Sequence, residues 1–230
     1  MPKFEGVQKS VKPAEFAENQ LLEAILDGSY SPGDVLPAER LLAQSLGVTR
    51  PTLRETLQRL SKEGWVTITH GKPTQVNDYL SSGGLGILNT LSRFNTKLSP
   101  DMTGYLLEAR TLIFPGVAQR AVEKDPDAIL AYLTPGGGLD MDAKSFATHD
   151  WGLQMLMVEI TENPVLKMMF NDFSPVYHRL GQLYFTNQTA RKMSMEYYGE
   201  LRLALGDKKA SVQELVEKTM ARAQQFWREI

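Results

Sequence analysis

Cysteine is absent from the 230 residues of this chain. Its absence excludes disulfides, metal sites built on thiolates and catalytic cysteine nucleophiles. Long hydrophobic runs are absent as well, since no stretch approaches the roughly 20 apolar residues that a membrane-spanning helix needs. The opening residues, MPKFEGVQKSVKP, have no apolar core of the kind found in signal peptides. Together these absences predict a soluble protein of a reducing compartment, the cytoplasm.

The chain also lacks a strong overall charge. Its formal net charge is -2, which argues against a protein covered in positive charge. The local distribution is uneven, because residues 13–39 hold six acidic and no basic side chains, whereas residues 40–72 hold six basic and two acidic ones. Chance clustering is one explanation of this basic segment. A surface for nucleic-acid phosphates is the other.

Residues 36–74 carry the pattern of a winged helix-turn-helix. One helix ends near Ser45, a turn passes through Gly47, and a second helix opens at Thr49, a good N-cap residue. The positions expected to face inward are Leu41, Leu42 and Leu46 in the first helix, and Leu53, Leu57 and Leu60 in the second.

The second of these helices has a basic face near its start. Arg50 and Arg54 lie one turn apart on a different face from the leucines, and Pro51 in the first turn loses no intrahelical hydrogen bond. Such a face is typical of a recognition helix that contacts base edges and phosphates. The alternative is that Arg54 pairs with Glu39 or Glu55 inside the domain.

A short β-ribbon is predicted to follow the two helices. Trp65–Thr69 is rich in branched, alternating residues, His70-Gly71-Lys72-Pro73 forms the turn, and Thr74–Asn77 returns. The turn holds a histidine, a glycine that permits close approach of the backbone, and a lysine. This chemistry suits a DNA minor groove and its flanking phosphates, so the ribbon is interpreted as a wing.

We therefore predict a mainly α fold with a small β-ribbon, in two domains. Residues 1–80 form an N-terminal winged helix-turn-helix, residues 81–84 (Ser-Ser-Gly-Gly) a linker, and residues 85–230 an all-α effector bundle of about seven helices. The first helix is expected at Pro13–Asp27. The bundle helices are expected near Leu85–Phe94, Asp101–Lys124, Pro126–Leu133, Asp142–Thr161, Pro164–Phe185, Thr189–Leu205 and Ser211–Arg228.

These residues resemble the GntR family of bacterial transcription regulators. The segments LPAER, LGVTRPTLRE, LQRL, GW and HGKPT match the winged-helix signature of the family in order. The chain as a whole is similar to the FadR subfamily, and within it to the regulators of fatty-acid metabolism. The segments that carry this likeness are PAEFAENQLLEAI, HGKPTQVNDY, GLGILNTLSRF, YLLEARTLIF, ENPV, VYHRLGQLYF and the terminal FW.

The resemblance implies a homodimeric repressor or activator whose two recognition helices read a palindromic operator. The positions that match DNA-contacting positions of the family are Arg40, Thr49, Arg50, Pro51, Thr52, Arg54, His70, Gly71 and Lys72. The arginines would contact guanine edges and phosphates, and the wing tip would enter the minor groove. Pro51 stands where some relatives carry a hydroxyl residue, so one phosphate contact is expected to be missing.

The resemblance also implies a long-chain acyl-CoA effector inside the bundle. The matching positions are Leu106, Leu107, Arg110, Tyr177, Tyr184, Met220, Ala223 and Trp227. Arg110 would bind the CoA part, since a fixed cation suits phosphate and carbonyl oxygens. Further lining is expected from Met155, Met157, Met168 and Met169. The alternatives are plain core packing of these side chains, a different apolar effector, or none, because Met220 and Ala223 stand where the fatty-acid regulators have a glycine and a serine.

A metal–carboxylate sensor of the same family is a further alternative, and it is disfavoured. Many relatives bind a divalent metal through one aspartate and three histidines. Here the bundle holds only His149 and His178, the first histidine position of the family falls on Gln154, and the later positions lie within Glu196–Gly199 and Lys218–Met220, which contain no histidine. We therefore expect neither a metal nor another cofactor.

An enzyme is the remaining rival, and it too is disfavoured. The glycine run at residues 136–138 lacks the Lys-Ser/Thr and the preceding strand of a phosphate-binding loop. Asp140, Asp142, His149 and Asp150 form no Ser-His-Asp or paired-carboxylate pattern. An architectural DNA-binding protein without an effector would not need the long helical second half.

Overall fold

The computed structural model of the chain describes residues 12–93, 100–134, 138–206 and 211–229. Two predicted segments lie partly outside these residues, namely the helix predicted to reach residue 94 and the glycine run at residues 136–138. The described residues form eleven α-helices and one two-stranded antiparallel sheet, which confirms the predicted fold class. None of the described helices is long and apolar enough to cross a membrane.

The chain divides into two compact units, residues 1–97 and 98–230. The elements of the first unit are α1 (Pro13–Leu26), α2 (Glu39–Leu46), α3 (Arg50–Lys62), β1 (Val66–Thr67), β2 (Gln75–Val76), α4 (Tyr79–Ser82) and α5 (Gly86–Arg93). The short helix α4 occupies part of the segment predicted as a linker, because the Asp78 side chain caps it by accepting a hydrogen bond from the backbone N–H of Leu80. The division also assigns α5 to the first unit, whereas the sequence prediction placed this helix in the bundle.

The helix-turn-helix forms as the local sequence dictates. Gly47 ends α2 in the left-handed conformation, at φ 68°, which glycine adopts without a steric penalty. Thr49 caps α3 by accepting a hydrogen bond from the backbone N–H of Thr52. The leucines of α3 are buried, as predicted. The prediction that Leu41 faces inward was wrong, because it is 45% exposed while Leu42 and Leu46 are fully buried.

The β-ribbon is shorter than predicted. Val66 pairs with Val76 and Thr67 with Gln75, and Val35 adds an isolated bridge to Gln75. Trp65, Val66 and Val76 are buried at the base of the ribbon, while residues 68–73 between the strands are exposed. The ribbon therefore projects a polar turn from an apolar base.

The second unit consists, among its described residues, of six helices. They are α6 (Pro100–Lys124), α7 (Pro126–Leu133), α8 (Ala143–Ile160), α9 (Pro164–Tyr184), α10 (Gln188–Leu205) and α11 (Val212–Glu229). Short polar side chains cap four of them, at Asp125, Asp142, Asn163 and Asn187. These bounds agree with the predicted helices to within one or two residues.

The core of this unit lies between α6, α8, α9 and α11. Helix α8 packs most extensively against α9, and α6 against α11. Phe114, Phe146, Leu153 and Met157 are among the fully buried side chains of this core. The core is not filled throughout, because a cavity lies between these helices and α10.

Candidate functional sites

The first candidate site is the exposed basic surface of α2, α3 and the ribbon. Arg40 on α2 and Arg50 and Arg54 on α3 are all exposed, and so are the turn residues His70 and Lys72. On α3 the leucines are buried, whereas Arg50 and Arg54 at the flank of that buried face are exposed. The positions predicted for DNA contact are thus on the surface of the unit.

Glu39 contacts two of the three arginines of α3, Arg50 and Arg54. Its carboxylate accepts a hydrogen bond from Arg54 Nε at 2.7 Å and lies 3.8 Å from a terminal nitrogen of Arg50. The side chains of Arg54 and Glu39 are 60% and 36% exposed, so the pair contributes at most about 1 kcal/mol. A bidentate arginine–guanine contact discriminates by about 1–3 kcal/mol. The pairing foreseen as an alternative to a DNA role is therefore present, but it is weak enough to be exchanged.

The start of α3 presents two threonine hydroxyls beside the arginines. The hydroxyls of Thr49 and Thr52 lie 2.8 Å apart and share a hydrogen bond, and Pro51 between them is exposed. The structural role of Thr49 as the helix cap is therefore clear. Its outward hydroxyl remains available to accept or donate a further bond at the N-terminal end of the helix, where the helix dipole favours an anion.

The turn of the ribbon is built around a glycine in the left-handed region. Gly71 has φ 74°, and the backbone N–H of Lys72 closes the turn by donating to the carbonyl of Thr69 at 3.1 Å. An L side chain at residue 71 would be strained. The turn thus exposes His70 and Lys72 on either side of a bare backbone.

Arg59 provides a contrast on the same helix. Its guanidinium lies 3.3 Å from the Glu18 carboxylate of α1, so it joins two helices of the unit. This contact anchors Arg59 to another helix of the same unit.

The second candidate site is a cavity of about 130 Å³ inside the helical unit. This volume is roughly ten times what a single buried water requires. All eight residues predicted for the ligand line it: Leu106, Leu107, Arg110, Tyr177, Tyr184, Met220, Ala223 and Trp227. Most of the remaining lining is apolar and comes from α6, α8, α9, α10 and α11.

Stacked aromatic rings form much of one side of the cavity. Tyr184 lies 5.8 Å from Trp227, with the ring planes at 27°, and Tyr177 lies 4.5 Å from Trp151. These separations are within the range of favourable aromatic pairs.

The prediction that Met155, Met157, Met168 and Met169 line the cavity was wrong, because none of them does. Met157 is fully buried in the core and Met168 points to solvent; the cavity instead receives Met193 and Met220.

A buried carboxylate organises the polar part of the lining. Asp150 on α8 is 7% exposed and accepts hydrogen bonds from three donors. Tyr198 donates to Oδ1 at 2.6 Å, Gln154 Nε2 donates to Oδ2 at 2.8 Å, and Tyr177 also donates to Oδ2. Burial, reinforced by the charge of Asp150, raises the pKa of both tyrosines, so both phenols remain neutral donors.

Arg110 is connected to the Asp150 carboxylate through the side chain of Gln154. Its Nε donates to Gln154 Oε1 at 3.1 Å, and its guanidinium carbon lies 5.4 Å from the centre of the Tyr177 ring. The bond to Gln154 uses Nε and leaves the two terminal nitrogens for other partners. The guanidinium is therefore held in place at the cavity without a direct ion pair to Asp150.

Asp150, Gln154 and Tyr197 were not predicted from the sequence as cavity residues, yet all three line the cavity. A signal existed for the first two, because polar residues four apart on the largely apolar α8 must share one helix face. Gln154 falls where relatives carry a metal-binding histidine, and here its amide joins Arg110 to Asp150. Among the described residues, no group of three His, Asp or Glu side chains is arranged to hold a metal ion.

Two family models cover the chain. Residues 13–76 match the model of bacterial regulatory proteins of the gntR family, and residues 77–230 match the model of the FadR C-terminal domain.

Individual relatives are similar over most of their length. The chain is 39% identical over 195 residues to the fatty acid metabolism regulator protein of Pectobacterium carotovorum subsp. carotovorum (strain PC1), which covers 85% of this chain and 82% of that protein. It is 39% identical over 204 residues to the protein of the same name from Yersinia enterocolitica serotype O:8, with 89% and 85% covered. The structure of Lar, which controls the expression of the Listeria monocytogenes agr system, matches 97% of this chain with a TM-score of 0.59 and 18% identity, and so has the same fold.

Proposed function

Since this chain belongs to the GntR family of bacterial transcription regulators and carries a FadR C-terminal domain, we propose that it regulates fatty-acid metabolism as a homodimer on a palindromic operator, with a long-chain acyl-CoA as its effector. The family consists of transcription regulators, so the chain is not an enzyme. The observation that carries the effector proposal is the convergence of eight family ligand positions on one apolar cavity with an arginine in its wall.

The DNA part of the proposal is supported by surface chemistry. Exposed arginines on α3, a glycine turn flanked by His70 and Lys72, and a locally basic segment match what base edges and phosphates require. On binding, Arg50 and Arg54 exchange their weak contact with Glu39 for contacts with DNA. A dimer would present two copies of α3, which is why the operator is expected to be palindromic.

Matched arginine substitutions on one helix test this part. We expect Arg50→Ala or Arg54→Ala to weaken specific DNA binding by about 1–3 kcal/mol, or roughly 5- to 150-fold. Arg59→Ala removes the same charge from the same helix, yet it should leave binding nearly unchanged because Arg59 lies in the last turn of α3, away from the N-terminal end that a recognition helix presents to the bases.

The operator itself can be obtained with the purified full chain. Duplexes selected from a random pool should contain two inverted half-sites, and fluorescence anisotropy on such a duplex then measures each variant. Selected sites without two-fold symmetry would contradict the dimer proposal, and equal losses in all three arginine variants would contradict the assignment of α3.

The effector part is supported by the chemistry of the cavity. A long acyl chain needs an internal apolar channel, and the lining of leucines, aromatic rings and methionines offers one. Arg110 supplies a fixed cation for a phosphate or carbonyl oxygen of the ligand. Met220 is itself nearly buried and fills part of the space, so the cavity must open further to accept a full-length acyl chain.

Calorimetric titration with palmitoyl-CoA tests the effector part. The wild-type chain should bind it, and Arg110→Ala should weaken binding roughly 10- to 150-fold, because a hydrogen bond to a charged group contributes about 1.5–3 kcal/mol. Arg120→Ala is the matched control, since this exposed arginine lies on the same helix and does not line the cavity. Absence of wild-type binding, with operator DNA still bound, would favour a regulator that responds to a different effector or to none.

A further inference from the structure

One hydroxyl in the wall of the cavity is left over by the hydrogen bonds described so far. Tyr197 lies on α10 and lines the cavity, and its phenolic oxygen is buried without a hydrogen-bond partner among the described residues. Its neighbour Tyr198 differs, because the Tyr198 hydroxyl is used inside the protein by Asp150. Buried polar groups are nearly always paired, so an unpaired hydroxyl in a cavity wall calls for a partner inside the cavity, either a water or the ligand atom that displaces it.

The surroundings of this hydroxyl decide what kind of atom that is. Burial raises the pKa of Tyr197, and the positive charge of Arg110 is close enough to oppose that shift, as the negative charge of Asp150 is close enough to add to it. The phenol is therefore a neutral O–H donor in the same region as the guanidinium. Ser194, one turn earlier on α10, also lines the cavity. Donors from α6 and α10 thus line one largely apolar cavity.

A purely hydrocarbon ligand would leave these donors unpaired. A ligand with an oxygen acceptor at the head of its apolar chain would pair them, while the chain occupies the aromatic and aliphatic wall. The carbonyl of an acyl thioester has this combination of groups.

We propose that Tyr197 recognises the carbonyl oxygen of the bound acyl group by donating a hydrogen bond to it, and that it thereby selects acyl thioesters over ligands without the carbonyl. This inference rests on the proposed function, because it assigns a specificity residue to the proposed acyl-CoA site. The Tyr197 phenol and the Arg110 guanidinium divide the task, since the first recognises the acyl head and the second the more polar part of the ligand.

Two ligands and one conservative substitution test the inference. The full-length chain is titrated calorimetrically with palmitoyl-CoA and with S-hexadecyl-CoA, a thioether that lacks the carbonyl oxygen. Tyr197→Phe should weaken palmitoyl-CoA binding roughly tenfold and leave thioether binding unchanged, because it removes only the donor. Tyr30→Phe is the matched control, since Tyr30 holds the other buried hydroxyl without a partner among the described residues and belongs to the first unit.

Thermal unfolding without ligand provides a second readout. Tyr197→Phe should leave the bundle as stable as before or slightly more stable, because no bond inside the protein is lost. Tyr198→Phe should lower its stability, because Asp150 loses a donor.

The outcomes separate this inference from the proposed function. A wild-type chain that does not bind palmitoyl-CoA overturns both. A wild-type chain that binds it, together with a Tyr197→Phe variant that binds it equally well or loses both ligands equally, overturns only the role of Tyr197. A loss of ligand-free stability as large as that of Tyr198→Phe also overturns it, because the hydroxyl would then have a partner within the protein.

Discussion

Replacement of Asp150 by asparagine is expected to destabilise the helical unit selectively. The carboxylate accepts from Tyr177, Gln154 and Tyr198, whereas an asparagine of the same shape offers one acceptor oxygen and brings two N–H donors of its own. At least one existing donor is left without an acceptor in a site that is 7% exposed. An unsatisfied buried donor costs about 1–3 kcal/mol, and because the asparagine also brings donors of its own, we expect a loss near the upper end, about 3 kcal/mol, in the free energy of unfolding.

Calorimetric melting of the full chain measures this loss. For a unit of this size, 3 kcal/mol corresponds to a decrease of roughly 10 °C in the melting temperature of the bundle. Glu159→Gln is the matched control, because it makes the same carboxylate-to-amide change on the same helix, where Glu159 forms a surface pair with Lys167 and both side chains are about half exposed. That pair contributes at most about 1 kcal/mol. If Asp150→Asn melted no lower than Glu159→Gln, the inference that a buried carboxylate organises the cavity would be refuted.

Three further predictions concern other parts of the molecule. Burial raises the pKa of Tyr184 to about 12 from its ordinary value of 10.0. The unfolded chain therefore releases this proton first, so the contribution of Tyr184 to stability should be constant below about pH 10 and be lost between pH 10 and 12. Tyrosinate absorbance followed alongside circular dichroism would detect this loss. Ionisation of all tyrosines near pH 10 without unfolding would contradict this. Gly152→Ala places a Cβ 2.2 Å from the Tyr132 hydroxyl and should lower the free energy of unfolding in chemical denaturation by about 1–3 kcal/mol. Gly199→Ala lies in open space on α10 and should raise it by up to about 1 kcal/mol. Similar effects of the two substitutions would be inconsistent with the packing. Lys72→Ala should weaken binding to all DNA sequences alike and reduce the salt-dependence slope by about one, and a loss confined to one operator base would disagree with a phosphate contact.

Helical periodicity predicted the DNA-binding unit well where an element is long enough to define a face. The leucines of α3, spaced by three and four residues, are buried as expected. In α2 the prediction for Leu41 was wrong. The buried face of this helix is formed by Leu42, Ala43 and Leu46. Because adjacent residues on a helix point about 100° apart, Leu41 lies outside that face. Packing between helices decides whether Leu41 or Ala43 is buried beside Leu42. The sequence of an eight-residue helix does not encode that choice.

Eight residues that line the cavity were predicted from the sequence, but the hydrogen bonds among its polar side chains were not. The family resemblance identified eight residues, and the structure places them on three separate helices around one cavity. The partners of Asp150 lie 4, 27 and 48 residues further along the chain, and only the first follows from local helix geometry. The other two depend on how α9 and α10 pack against α8. The unpaired hydroxyl of Tyr197 could not be inferred from sequence at all, because a missing partner is a property of the packed structure.

The most direct test of the central claim is operator binding measured while palmitoyl-CoA is added. Fluorescence anisotropy on a duplex selected by the protein would be followed with palmitoyl-CoA, and with free CoA and palmitate as controls. We expect palmitoyl-CoA alone to change the DNA affinity by roughly 5- to 150-fold, and we expect Arg110→Ala to bind DNA without showing this change. An operator affinity that stays the same at saturating palmitoyl-CoA would contradict the claim that this chain is an acyl-CoA-responsive regulator.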